Sequence, residues 1–179
     1  MKIRNFIWCV VLLVAIDSAI KLIIYECFFD VRFEIIPNLF EFWPKFNDHY
    51  SYVNHLFGLG WGFWVHVVLF CFALVIALAA YDFFKTLPYG HLLLDIAFTF
   101  AFSGNICAFI GLVMGGCLDY IYLKPLFIFD LKDLYIDCYV ILLLYYCIKF
   151  KKELKTVKAK DMSNYYKKRL NSLLKKHKP

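Results

Sequence analysis

From Gly62 to Tyr81 the chain runs without a single charged residue, and that run constrains the fold more than any other feature. Twenty helical residues reach about 30 Å, the thickness of a bilayer's hydrocarbon core. Three further apolar stretches have similar length, about residues 6–29, 92–115 and 131–150. With 63% hydrophobic residues and only 19% charged, and the charges clustered, the expected fold is an all-α integral membrane protein with four transmembrane helices. A cleaved leader is a poor reading of the first stretch. Its apolar run continues past Asp17 and Lys21, and no small-residue cleavage site follows.

The net charge of +6 does not point to nucleic acid, because 12 of the 20 Lys and Arg lie at or beyond Lys149. A basic tail on a membrane protein is a topology signal. Four spans put both termini on one side, with Lys2, Arg4, Lys85 and the tail, against Arg32, Lys45, Lys124 and Lys132 on the other. Both termini are therefore expected in the cytoplasm. The division is a membrane domain over 1–150 and a basic cytoplasmic tail over 151–179. In the tail, Leu154, Val157, Tyr165 and Leu170 recur at helical spacing, which suits either an anionic membrane surface or a solvated tail.

Residues 30–60 are aromatic and polar. Val31–Ile36 and Leu39–Trp43 read as two strands, the second ended by Pro44, which makes a small extracytoplasmic β-sheet on the outer membrane surface. The seven cysteines are scattered and never form a CxxC, so they are expected to act as small hydrophobes. Asp82 and Asp95 are expected only to mark the cytoplasmic helix ends.

This topology brings the anomalous polar residues to one depth. Asp17 and Lys21, an i,i+4 pair on one helix face, fall in the outward half of the first span. Asn54 opens the second, Asn105 lies in the outward half of the third, and Asp119 and Asp133 flank the connection to the fourth. Ionisable groups at a membrane are costly, and their convergence points to a site at the outer interface. Two carboxylates held close share a proton, so that one can activate a water while the other protonates the attacked carbonyl or leaving amine. Such pairs also serve glycosidases and cation sites. Asp130 and Asp137 are the alternative partners for Asp119.

In chain order, Asp17-Ser18-Ala19-Ile20-Lys21 resembles the D-x-x-x-K of the lipoprotein signal peptidases (signal peptidase II), the intramembrane aspartic proteases of bacteria. Ile35-Ile36-Pro37-Asn38 is similar to their IPG-type lead-in to the surface sheet, and Asn54 with the following glycines to N-x-G-A-A-F. Ser103-Gly104-Asn105 resembles the GA-x-GN segment, Gly115–Ile121 the G-x-V-x-D-F-I motif, and Phe129–Asp133 the F-N-x-A-D motif. The resemblance implies that Asp119 and Asp133 are catalytic, with Asp17, Lys21, Asn54 and Asn105 supporting the fold or lining the pocket. It further implies a lipid-modified prolipoprotein as substrate, membrane lipids as surroundings, and the bacterial cytoplasmic membrane as location. No cofactor, metal or nucleic acid is expected, and a monomer is. The sequence departs from the family where Ala108-Phe109 stand in place of an Asp-Arg, where Leu56 replaces a glycine, and where Asp130 and Lys132 flank the second aspartate. A non-catalytic relative that binds lipoprotein or lipid is the alternative. A cation pathway is disfavoured because the inward halves of the second and third spans lack a chain of ionisable groups.

Overall fold

The structure, a computed structural model, describes residues 1–47, 50, 51, 54 and 57–176; Leu56 lies outside them. Helix α1 runs over Ile3–Ile23 and continues through a π-helical turn, Ile24–Phe28. Strands β1 (Phe33–Ile36) and β2 (Phe40–Asn47) follow, then helices α2 (Phe63–Phe84) and α3 (His91–Val113). The connection out of α3 holds β3 (Cys117–Leu123) and β4 (Phe127–Phe129). Helix α4 (Leu131–Lys149), a short α5 (Lys151–Leu154) and α6 (Ala159–Lys176) complete the chain.

Among the described residues, three helices are long and apolar enough to cross a membrane: Ile3–Phe28, α2 and α3. Helix α4 has the length, about 28 Å for its 19 residues, but carries Lys132, Asp133 and Asp137 in its first two turns. The chain is thus a multi-pass membrane protein with three to four apolar helices and a small four-stranded antiparallel sheet. Helix α3 is the central one, contacting α1, α2 and α4. Its Leu94, Phe98 and Phe102 form a buried core with Phe6, Val10 and Tyr146. The outer helices instead expose large apolar side chains such as Trp8, Trp64 and Val68. In water that surface would be a liability; against hydrocarbon it is the expected one.

Small residues set the spacing of α3 and α4. A Cβ on Gly104 would meet Ile136 Cγ1 at 2.9 Å and the Lys132 carbonyl oxygen at 3.3 Å. Close helix approach of this kind is the usual role of glycine in membrane bundles.

The sheet is larger than the sequence suggested. It is an antiparallel meander in the order β1-β2-β3-β4, and its second half comes from the α3–α4 connection, outside residues 30–60. Pro44 does not end β2. It lies where the β2–β3 ladder breaks register between Phe42 and Lys45, so its missing N–H costs no ladder bond, and the strand continues to Asn47. Glu41 on β2 is buried, ion-paired to Arg32 and, at 2.9 Å, to Lys124.

Asp95 does more than mark a helix end. It is fully buried and accepts hydrogen bonds from Tyr81 Oη and Lys85 Nζ, each at 2.8 Å.

Candidate active site

Asp119 is the third residue of β3 and lies opposite Lys45 of β2. Two residues further along β2, Asn47 Nδ2 donates to Asp119 Oδ2 at 3.0 Å. Strand pairing thus sets where this carboxylate sits.

The second group is built by a helix start. Asp130 is the N-cap of α4 and accepts a bond from Asp133 N at 3.3 Å, while Asp130 N donates to Asp133 Oδ2 at 3.1 Å. This reciprocal capping box satisfies two otherwise unpaired donors and fixes the Asp133 side chain. A carboxylate is also favoured there by the positive end of the helix dipole.

Lys132 joins the two. Its Nζ lies 2.9 Å from Asp119 Oδ1, 2.9 Å from Asp130 Oδ1 and 3.3 Å from Asp133 Oδ2. A second ammonium extends the network: Lys21 Nζ is 2.8 Å from Asp17 Oδ2 and 2.7 Å from Asp130 Oδ2. Among the described residues, the cluster therefore holds four carboxylates against two ammonium groups. Carboxylate oxygens of Asp119, Asp130 and Asp133 all lie within 4.8 Å of one another, a spacing that also suits a divalent cation. The Lys132 ammonium already supplies a positive charge to all three, so the arrangement needs no metal to hold it together.

Water access separates the two candidate catalytic groups. The Asp119 side chain is 4% exposed, whereas that of Asp133 is 38% exposed. Burial pushes the Asp119 carboxyl above the usual carboxylate range, against the opposing pull of Lys132. Asp130 is held below its ordinary value: burial disfavours its charge, but Lys132 and Lys21 together outweigh that. With two more acids than bases in the cluster, one proton retained between Asp119 and Asp133 relieves the excess negative charge.

Both groups open onto a cavity of about 650 Å³ bounded by the sheet, α2, α3 and α4, with Asn47, Phe70, Ala108 and Phe127 among its walls. Asp137 also lines it. Asp130 is committed to the cap and to both lysines, so of the alternative partners only Asp137 remains open to the cavity.

The supporting residues divide. Asp17 and Lys21 join the cluster through Asp130. Asn54 and Asn105 do not line the cavity. Asn54 spans its own loop, with Nδ2 donating to Trp61 O and Oδ1 accepting from Trp61 N, each at 2.9 Å. Its backbone N–H donates to Ser51 Oγ at 3.3 Å, and Ser51, on the cavity wall, contacts His66 Nε2 at 3.1 Å. Asn105 Nδ2 donates to Phe70 O at 3.3 Å and so ties α3 to α2 behind that wall. Asn47 is a site residue that no sequence motif marks, and the position of Lys132 between the aspartates is set by the packing of β3 against the start of α4. The D-x-x-D spacing of Asp130 and Asp133 carried a capping-box signal that could have located the helix start.

The family profile described as Signal peptidase (SPase) II, Peptidase_A8, matches residues 9–149. Two solved structures are similar in fold, both described as a bacterial membrane enzyme determined by the in meso method, at 2.3 Å and 1.9 Å resolution. Each is 23% identical with a TM-score of 0.66 and is covered over 96% of its length; they cover 89% and 83% of this chain, respectively. No curated protein sequence gives a significant match.

Proposed function

The chain belongs to the signal peptidase II family, and on that premise we propose that it is an intramembrane aspartic endopeptidase. Its substrate is a diacylglyceryl-modified prolipoprotein, and it cleaves the bond just before the lipidated cysteine. The observation that carries this reading is that Asp119 and Asp133, from a strand and a helix start, meet in one cavity bridged by one ammonium.

The proposed topology has four spans, with α4 as the fourth, both termini and the basic tail in the cytoplasm, and the sheet on the outer surface. The excess of Lys and Arg on the terminal side supports it. The location is the bacterial cytoplasmic membrane. Charges at the start of α4 then lie at the interface, next to the sheet, where their hydration is least expensive.

In the reaction, the ionised member of the pair takes a proton from a water held in the cavity. The resulting hydroxide equivalent attacks the scissile carbonyl carbon, and the protonated member gives its proton to the carbonyl oxygen. Collapse of the tetrahedral adduct breaks the C–N bond as the leaving nitrogen takes up a proton. One water is consumed, the signal peptide leaves with a new carboxylate, and the cysteine keeps a free amine. Lys132 and Asn47 position the carboxylates.

The same Lys132 gives a specific reason to keep the non-catalytic reading as the second one. An ammonium between two carboxylates favours their ionised forms, and Ala108, on the cavity wall, adds no charge of its own. Incubating the purified protein with a diacylglyceryl-modified prolipoprotein decides between them. A product whose new N-terminus is the lipidated cysteine, identified by mass, is expected from the peptidase. Binding of that substrate without any product supports the non-catalytic relative.

A further inference from the structure

A second, larger cavity shares no lining residue with the first. It has a volume of about 1030 Å³ and is walled by α1, α2 and α3, with α6 closing one side. Phe6, Val10, Leu78 and Phe102 make its apolar walls, and Tyr166 and Leu170 of α6 face into it. Asp82 and Arg169 are its charged lining residues. The residues of α1 that line it run from Ile3 to Val11, about 12 Å of helix, close to half the depth of a ~30 Å hydrocarbon core.

Helix α6 is placed there by specific contacts. Tyr165 Oη donates to Asp82 Oδ2 at 3.1 Å, Arg169 is ion-paired to the same carboxylate, and the Phe83 and Tyr165 rings meet edge-on at 6.0 Å. Its composition is that of an interfacial helix. Met162, Tyr165, Tyr166 and Leu170 share an apolar stripe, and Lys160, Lys167, Lys168 and Arg169 are exposed. Basic residues continue upstream through Lys151, Lys152, Lys155 and Lys158.

We infer that this cavity is a binding site for one anionic phospholipid of the leaflet on the side of the chain termini. Its acyl chains fill the apolar space between α1 and α2, and its phosphate lies at the rim by Arg169 and the exposed lysines of α6. Three features together select this occupant. The cavity is apolar throughout except at one end, its α1 wall is about half a hydrocarbon core deep, and its charged end adjoins the most basic segment of the chain. Each nearby basic residue adds ~1 kcal/mol of attraction to an anionic surface, so headgroup charge decides the preference. The inference rests on the proposed membrane topology and is independent of the catalytic reading.

The test uses the full chain purified in a neutral detergent and examined by native mass spectrometry with phosphatidylglycerol or phosphatidylcholine at equal concentration. Phosphatidylglycerol adducts are expected to exceed phosphatidylcholine adducts about tenfold or more. Leu78→Trp and, separately, Ile7→Trp fill the cavity while keeping every charge. Both positions are more than half exposed, so either variant is expected to fold, as circular dichroism would verify. Each should reduce phosphatidylglycerol retention to the phosphatidylcholine level. Undiminished retention in both variants would overturn the proposal in favour of simple adsorption to the basic tail. Equal retention of the two lipids overturns the headgroup assignment. A dimer mass abolished by the same substitutions would mean that a second copy of the chain occupies the cavity instead.

Discussion

Replacing Lys132 with methionine removes the ammonium that stands 2.9 Å from Asp119 and 3.3 Å from Asp133 while keeping an unbranched side chain. At an effective dielectric of ~20, each such contact is worth roughly 5–6 kcal/mol before the desolvation of the charges is set against it. The net effect of one adjacent cation on a carboxyl group is smaller, roughly one to three pH units. The sign follows directly. The ammonium favours the ionised carboxylates, so its loss makes each proton harder to remove. The other groups near the pair are Asn47 and Asp130, Lys45 and Asp137 on the cavity wall, and the more distant Lys21, already engaged by Asp17 and Asp130; among the described residues only Lys132 is ion-paired to both carboxylates. Initial rates of prolipoprotein cleavage measured across pH should therefore give a bell whose two limbs both lie higher in Lys132→Met than in the wild type, by roughly one to three units. A profile that only loses height, with both limbs in place, would refute the idea that Lys132 sets the protonation of the pair. Thermal melting of the same variant separates a fold defect from a titration effect.

Three other outcomes follow from the geometry. Gly104→Ala would force α4 away from α3 at Ile136 and the Lys132 carbonyl, and is expected to cost about 1–3 kcal/mol in denaturant titrations. Asn47→Ala removes one charge-assisted bond to Asp119, worth about 1.5–3 kcal/mol, and should lower kcat by roughly 10- to 100-fold with little change in KM. Asp130, held down by its two lysines against its burial, and Glu41, held at about 2 by Arg32 and Lys124, both have lowered values. Their stabilisation is complete above the ordinary carboxylate range and is lost as pH falls through their own values. Their contribution to the melting temperature should thus hold from neutrality to about pH 4 and be lost below it, with a smaller loss in Glu41→Gln.

Local signals in the sequence carried far, and non-local ones did not. Helices α1 to α3 were legible because apolar runs of spanning length have few other uses, and their observed bounds lie close to those expected. The Asp17–Lys21 pair was legible from i,i+4 spacing, whereas its third member, Asp130, enters only through the packing of α4. Strands β1 and β2 announced themselves through β-branched and aromatic residues. Strand β3 did not, because its first residues follow two glycines and its partner, β2, is remote in sequence. Lys132 was visible as a neighbour of Asp133, but its contact with Asp119 requires β3 and the start of α4 to be brought side by side, which no local pattern specifies. Asn54 and Asn105 are expected to support the fold or line the pocket; they brace the loop and the helix pair directly behind the cavity wall.

The most direct test of the central claim is the single-turnover cleavage rate of a diacylglyceryl-modified prolipoprotein by the wild type, Asp119→Asn and Asp133→Asn. These substitutions keep the size of each side chain and remove its ability to exchange a proton. If the two carboxylates act as acid and base, the wild type converts the substrate and each variant is slower by roughly 10²–10⁴-fold. A wild-type rate in either variant would contradict the assignment of that aspartate.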